Sequence, residues 1–104
     1  MASSLIKQVM HGDFVSQEFK SSAHSISSGT VGTIPSGTTE TISVAKTGYT
    51  PIAAYISKCA HATNVLPHVT LTGTSLSLRF IRTSASAYTM PADDVRVTVL
   101  YKKN

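Results

Sequence analysis

Apolar and polar side chains alternate along much of this chain, with the period of two residues that a half-buried β-strand shows. The alternation is clearest in residues 67–72 and 75–82, which only a Gly-Thr dipeptide separates. Such a short connection between two alternating segments predicts a β-hairpin. The side chains predicted to share the inward face of its second strand are Leu76, Leu78 and Phe80.

Other segments alternate in the same way. Residues 41–45 predict a strand that ends at a Lys-Thr-Gly turn, where Gly48 supplies the positive φ that such turns often need. Pro51 has no N–H to donate, so it is predicted to be the first residue of the next strand. We expect that strand to be well buried over residues 51–57. Residues 94–102 predict a closing strand whose inward side chains are Val95, Val97, Val99 and Tyr101.

The remaining segments complete an all-β chain. Residues 1–12 predict either an extended arm or a short helix, because their apolar side chains fit both. Residues 14–20 and 23–27 predict two further strands, and residues 83–90 predict a polar loop. Short strands joined by Gly, Pro and Ser turns over residues 13–104 predict a single antiparallel β-sandwich or jelly-roll domain.

Composition narrows the classes of function. The 104 residues carry a net charge of +4, but the nine Lys and Arg residues are scattered, so we expect no nucleic-acid partner. Apolar stretches are far shorter than the ~20 residues of a membrane span, and no signal-peptide pattern is present. We therefore expect synthesis in a cytoplasm and no membrane insertion. Cys59 is the single cysteine, which excludes an internal disulfide and favours a small buried side chain.

The sequence predicts neither a metal site nor a catalytic site. Cys59 and His61 are the one close pair of metal-ligand types, whereas a closed zinc site needs four converging ligands. Asp93 and Asp94 are adjacent at the start of a strand, where their side chains point apart, so a turn or cap is favoured over calcium binding. No set of nucleophile, base and orienting group can be assigned. We expect no cofactor and no enzymatic activity.

Aromatic and arginine side chains provide the candidate ligand site. Saccharide sites use exposed aromatic rings with polar side chains beside them, and Tyr49 in a turn and Tyr88 in a loop are candidates for such rings. Arg79 and Arg82 are the candidate polar partners. The competing interpretation is structural: Tyr49 would pack as a corner residue, and Tyr88 would fill the core or an interface.

Two apolar side chains fall on the polar faces of their predicted strands. Ile81 and Leu100 each lie opposite the main apolar face. A strand that is apolar on both faces is typically covered on both, by a second sheet or by a neighbouring subunit. We therefore expect a homo-oligomer with Ile81 and Leu100 in its interface.

Three motifs follow one another between residues 48 and 102. They are GYTP at 48–51, LTGTSLSLRFIR at 71–82 and VRVTVLYK at 95–102. In this order they resemble the small C-terminal β-domains of tail, tail-fibre and baseplate proteins of bacteriophages and prophages, and more loosely the H-type lectins. The resemblance implies a virion component, made in the bacterial host, that is commonly trimeric and contacts other virion proteins and host cell-wall saccharide.

Together these features predict a structural protein of a phage tail fibre, baseplate or other appendage. Its expected role is to bind the host cell surface or to cap an assembly. Two alternatives stay open: a standalone lectin-like carbohydrate-binding module and a capsid decoration module. The lectin alternative predicts saccharide binding without any virion partner.

Overall fold

Nine short strands account for most of the described part of the chain. The computed structural model describes residues 5–26, 37–62, 64–82 and 86–104. In chain order the strands are β1 (Leu5–His11), β2 (Phe14–Lys20), β3 (His24–Ile26), β4 (Gly37–Ser43), β5 (Tyr49–Cys59), β6 (Leu66–Thr72), β7 (Ser75–Ile81), β8 (Tyr88–Met90) and β9 (Val95–Lys103).

The strands pair into three antiparallel sheets. The four-stranded sheet has the order β1-β2-β9-β5, the three-stranded sheet has the order β4-β7-β6, and β3 pairs with β8. Every pairing is antiparallel. The all-β, antiparallel prediction is confirmed, whereas the assignment to a sandwich or a jelly-roll stays a prediction. No helix among the described residues is long and apolar enough to cross a membrane.

All three sheets contribute side chains to one hydrophobic core. The inward side chains of β9 and β7 are fully buried, as the alternation predicts for strands with one apolar face. The predicted hairpin is also present, with Gly73 at a φ of 58° in the turn between β6 and β7. The largest fully buried side chains are Tyr101, Phe80, Ile26, Leu76, Leu78 and Met90.

Tyr101 ties the four-stranded sheet to the end of β4. Its hydroxyl donates a 2.7 Å hydrogen bond to the carbonyl oxygen of Val44, and its side chain is fully buried. Burial raises the pKa of Tyr101 to about 12, from an ordinary value of 10.0, because the phenolate would lie away from water. The stabilisation that this shift represents is complete below about pH 10 and is lost as the pH rises through about 12.

We therefore expect ionisation of Tyr101 to destabilise the protein at alkaline pH. The free energy of unfolding should fall by up to about 2–3 kcal/mol between about pH 10 and about pH 12. Tyr101→Phe should be less stable than the parent protein by about 1 kcal/mol at every pH below about 10, because the Val44 carbonyl loses its donor. Its free energy of unfolding should not show the further decrease between about pH 10 and about pH 12. Urea unfolding of both proteins across this range measures the difference, and stability curves that stay parallel would contradict the assignment.

Strand β5 differs from its prediction in two ways. It begins at Tyr49, so Pro51 lies inside the strand and not at its start. β5 is an edge strand of the four-stranded sheet, where a missing N–H can face away from the ladder. The expectation that residues 51–57 are well buried is wrong: Ile52 is 48% exposed and Tyr55 is 57% exposed. An edge strand with one uncovered face cannot bury both rows of side chains.

Two other segments also contain strands: residues 1–12, for which the sequence left two structures open, and residues 83–90, for which it predicted a loop. Of the segment 1–12, for which an arm or a short helix was open, Leu5–His11 is extended: it forms strand β1 and pairs with β2, while residues 1–4 lie outside the described part of the chain. Within residues 83–90, which were predicted to be a loop, Tyr88–Met90 forms β8 and pairs with β3. Three residues are too few for a period of two to be recognised.

Candidate functional site

The outward side chains of the four-stranded sheet form rows that cross all four strands. The pairing register brings together residues that are far apart in the sequence. One row, from β1 to β5, consists of Lys7, Glu18, Thr98 and Tyr55. The neighbouring row consists of Val9, Ser16, Leu100 and Ala53.

A shallow groove of about 250 Å³ lies across these rows, and we call it the Tyr55 groove. The seven residues that line it come from all four strands: Lys7, Val9, Ser16, Glu18, Tyr55, Ser57 and Thr98. Its volume lies just below the range of about 300–1,000 Å³ typical of enclosed small-molecule pockets. A groove of this size and openness suits one unit of a longer polar ligand that crosses the face.

Tyr55 dominates one wall of this groove. Its side chain is 57% exposed and lies outside the core, on the part of β5 between the two register shifts of its pairing with β9. A ring held by two paired strands offers a flat apolar surface at a small cost in conformational entropy, because the backbone beneath it is already fixed. Such a ring is available for stacking against a ligand.

Glu18 provides a positioned acceptor beside the aromatic ring. The Ser57 hydroxyl donates a 3.0 Å hydrogen bond to Glu18 Oε2, and Arg96 Nη1 lies 3.5 Å from Glu18 Oε1. Arg96 also donates two hydrogen bonds, of 2.8 and 2.9 Å, to Asp93, and these lower the pKa of that carboxyl to about 2. Glu18 is thus oriented by a neighbour at each oxygen, and a carboxylate has about four lone-pair sites, so it can accept further hydrogen bonds in the groove that it lines.

The four predicted ligand-site residues do not meet in one place. Tyr49 lies at the start of β5, opposite Lys103, whereas the other end of β5 pairs with Val95 next to the turn at His61. The ring of His61 lies 6.2 Å from the ring of Tyr88, which places Tyr88 at that far end. Arg79 lies on a different surface, because it points outward from the three-stranded sheet between Thr39 and His68. The structure brings Arg82 and Tyr88 together and places Tyr49 and Arg79 elsewhere, and the role of all four residues in ligand binding stays a prediction.

Tyr49 combines features of both interpretations. Its ring packs against the core, and Lys46 Nζ lies 5.0 Å from the ring centre, as expected of a corner residue. It also lines a second depression of about 360 Å³, together with Pro51, Ile52, Leu71, Gly73 and Thr74. Thr50 completes its lining, in which no side chain is charged.

Arg82 and Tyr88 do come together, but in a structural arrangement. The guanidinium carbon of Arg82 lies 5.4 Å from the centre of the Tyr88 ring. Arg82 is only 7% exposed, and it donates hydrogen bonds to the carbonyl oxygens of Ser86 and Asn64 and to the Ser86 hydroxyl. A guanidinium used in this way holds the segments around Asn64 and Ser86 in place, which supports the structural interpretation, and the role of Arg82 in ligand binding stays a prediction.

The far end of β5 also holds a Cys–His–Asp group. Asp94 is 3% exposed; its Oδ1 contacts His61 Nδ1, and its Oδ2 has no hydrogen-bond partner among the described residues. Burial and the nearby Asp94 charge raise the pKa of the Cys59 thiol. A raised pKa disfavours the thiolate, so Cys59 is not arranged as a nucleophile. In the parts of the chain that the structure covers, no three His, Cys, Asp or Glu side chains are placed to hold a metal ion.

Ile81 and Leu100 both face away from the core. Leu100 lies beside Ser16 and Ala53 on the outer face of the four-stranded sheet. Ile81 lies beside Leu66, which is 51% exposed, on the outer face of the three-stranded sheet. Their predicted role in an interface stays a prediction.

Comparisons of the chain with protein-family models, with curated proteins and with solved structures found no match.

Proposed function

We propose that this chain is a binding module of a phage tail fibre, baseplate or other virion appendage, and that the Tyr55 groove binds saccharide on the host cell surface. The observation that carries the proposal is an exposed tyrosine ring on strand β5, with a positioned carboxylate and a lysine in the same groove. The resemblance of the three C-terminal motifs supports the assignment to a virion.

The lining chemistry of the groove matches a sugar ring. The C–H face of a pyranose stacks on the Tyr55 ring, because both surfaces are apolar and flat. Glu18 accepts hydrogen bonds from sugar hydroxyls, and Lys7 donates to them or to an anionic substituent. A single shallow site of this kind gives millimolar affinity, about −4 kcal/mol, and multivalent display on a virion raises the avidity.

The raised pKa of the single thiol and the pairing of two carboxylates with basic side chains also favour a binding role over catalysis. The Cys59 thiol has a raised pKa, and Asp93 and Asp94 are engaged by Arg96 and His61 respectively. Apolar side chains on the outer faces of both larger sheets, at Leu100 and Ile81, support the proposal that the chain functions in an assembly.

Replacing Tyr55 tests the saccharide site. Tyr55→Ala should weaken binding at least tenfold, about 1.4 kcal/mol, because the stacking surface is removed. Tyr55→Phe should bind nearly as well as the parent protein. The measurement is a screen on an array of bacterial cell-wall glycans, followed by calorimetric titration of the best ligand.

A matched control separates the groove from general exposure. Leu66 lies on the three-stranded sheet, and its side chain is about as exposed as that of Tyr55. Leu66→Ala should leave saccharide binding unchanged. Equal affinity of the parent protein and Tyr55→Ala would exclude the groove as the site. Saccharide binding by a chain that is absent from purified virions, as judged by mass spectrometry, would favour the standalone lectin.

A further inference from the structure

Lysine and arginine side chains are concentrated on the outer face of the four-stranded sheet. Register and alternation place five of them outward, from all four strands: Lys7, Lys20, Lys58, Arg96 and Lys102. Within their described bounds, these strands carry one acidic side chain, that of Glu18, which also lies on the outer face. Among the described residues of the three-stranded sheet, Arg79 is the one charged lysine, arginine or acidic side chain that points outward. The two outer faces therefore differ in charge.

Three of these basic side chains form one row across the sheet, which we call the basic row. Lys20 of β2 and Lys58 of β5 both lie opposite Arg96 of β9. Like charges that lie directly opposite each other destabilise a pair of strands. The basic row therefore lowers the stability of the sheet unless the protein or a ligand supplies negative charge to it.

The protein supplies part of that negative charge through Asp93, in the turn before β9. Arg96 donates hydrogen bonds of 2.8 and 2.9 Å to the Asp93 carboxylate, and Lys58 Nζ lies 4.0 Å from Asp93 Oδ2. The hydrogen bonding by Arg96 lowers the pKa of Asp93 to about 2, and the charges of Lys58 and Lys20 act in the same direction. The potential at the basic row is thus positive. With Asp93 and Glu18 both counted, the basic side chains of this face outnumber the acidic ones by five to two.

The basic row lies next to the Tyr55 groove. Arg96 is two residues from Thr98 on β9, and Thr98 lies opposite Tyr55. Rows that are two residues apart along a strand are separated by about 7 Å. Lys7 adds a positive charge inside the groove, at its β1 end. A glycan that stacks one sugar on Tyr55 and crosses the groove therefore lies beside the basic row and passes Lys7.

We propose that the Tyr55 groove binds an acidic glycan, whose carboxylate, phosphate or sulfate groups lie against the basic row and Lys7. This inference rests on the proposed saccharide site and names the chemical class of its ligand. Charge complementarity favours an acidic glycan over a neutral one, because an anion offsets the repulsion within the row that Asp93 offsets only in part.

Glu18 favours an acidic glycan over a nucleic acid. Its carboxylate lines the groove, where it would lie against a nucleic-acid backbone that carries a phosphate at every nucleotide. A glycan instead presents hydroxyl groups between its charged groups, and a carboxylate accepts hydrogen bonds from hydroxyls. Sparse negative charge among many hydroxyls is the ligand chemistry that fits both Glu18 and the basic row.

Paired glycans test the charge requirement. Each acidic glycan on an array is compared with its neutral counterpart, prepared by carboxyl reduction or by removal of phosphate or sulfate. The acidic member of a bound pair should bind about tenfold more tightly or better, because it gains contacts between opposite charges. Its affinity should also fall about tenfold when NaCl is raised from about 50 mM to about 500 mM, since salt screens exposed charges. Neutral members that bind through Tyr55 as tightly as acidic ones would overturn the inference and retain the proposed function.

Removal of single charges at matched positions locates the contact. Lys7→Gln and Lys20→Gln should each weaken binding of the acidic glycan about fivefold, the effect of losing one close contact between unit charges in water. Both should leave binding of the neutral counterpart unchanged. Arg79→Gln is the matched control, because it removes the same charge from the other sheet and should change neither affinity. Equal losses with Arg79→Gln and Lys20→Gln would trace the effect to net charge and overturn the assignment to this face. Thermal unfolding verifies that the three variants remain folded.

Two further outcomes separate the inference from the proposed function. If no glycan binds, neutral or acidic, the proposed function is rejected and the inference with it. A single-stranded thymidine oligonucleotide is titrated in parallel. Tighter binding of this oligonucleotide than of the best acidic glycan would overturn the inference in favour of a nucleic acid, whereas weaker binding supports the selective role of Glu18.

Discussion

Replacing Phe80 by alanine is expected to lower the free energy of unfolding by about 3–5 kcal/mol. The Phe80 side chain is fully buried in the core, and its ring lies 5.1 Å from the ring of His24. Removing the ring loses the favourable free energy of transferring an aromatic side chain out of water. It also leaves a cavity between the packed strands. A domain of this size has about 5–15 kcal/mol of stability in total, so the loss should lower the melting temperature by at least ~12 °C.

Phe14 provides the matched control for this substitution. It is also carried by a strand of a large sheet, but it is 40% exposed on the outer face. Phe14→Ala should cost less than about 1 kcal/mol. Urea unfolding of both variants measures the difference, and similar losses for Phe14→Ala and Phe80→Ala would mean that the core is not where the structure places it.

Replacing Arg82 by alanine is expected to cost about 2–4 kcal/mol, although arginine is usually a surface residue. Its buried guanidinium donates to the carbonyl oxygens of Asn64 and Ser86, and it lies against the Tyr88 ring. The substitution leaves those carbonyls without donors and leaves a cavity beside the ring. Arg82→Lys should recover only part of the loss, since an ammonium cannot reproduce the planar arrangement of donors.

Arg79 is the control for Arg82, three residues earlier in the same part of the chain. It is exposed on the outer face of the three-stranded sheet, so Arg79→Ala should change stability by less than about 1 kcal/mol. Thermal unfolding followed by circular dichroism compares the two. If Arg82→Ala unfolds at the same temperature as the parent protein but loses saccharide binding, Arg82 is a ligand residue, as the sequence analysis indicated.

Local pattern was sufficient to predict the strands that have one fully apolar face. Alternate side chains of β7 and β9 lie in the core, from Leu76 to Phe80 and from Val95 to Tyr101, so alternation predicts the inward residues and places the ends of each strand to within one residue. The β6–β7 hairpin was also predictable, because its turn and both of its strands are continuous in sequence. The hairpin depends on a neighbour that lies within a few residues, whereas β9 pairs with the distant strands β2 and β5 and was predictable from its alternation alone.

The Tyr55 groove could not be predicted in the same way, because it depends on the order of strands in the sheet. Its lining extends from Lys7 to Thr98, and nothing in the local pattern brings β1, β2, β9 and β5 together. Residues 51–57 look like a buried strand because they are apolar, yet β5 lies at an edge and exposes Tyr55. The outward alternation of Ala53, Tyr55 and Ser57 was the one available signal.

Pro51 and the irregular pairing of β5 limit how far the protein can polymerise. The four-stranded sheet has two edges, and the β5 edge contains a proline and two register shifts, between Pro51 and Ala53 and between Ile56 and Lys58. These features oppose strand addition at the β5 edge. The pairing of β1 also shifts register, between Leu5 and Lys7, so neither edge strand of this sheet is regular along its whole length. Concentrated solutions should therefore stay clear and free of fibrils, even though the chain is rich in β-strand.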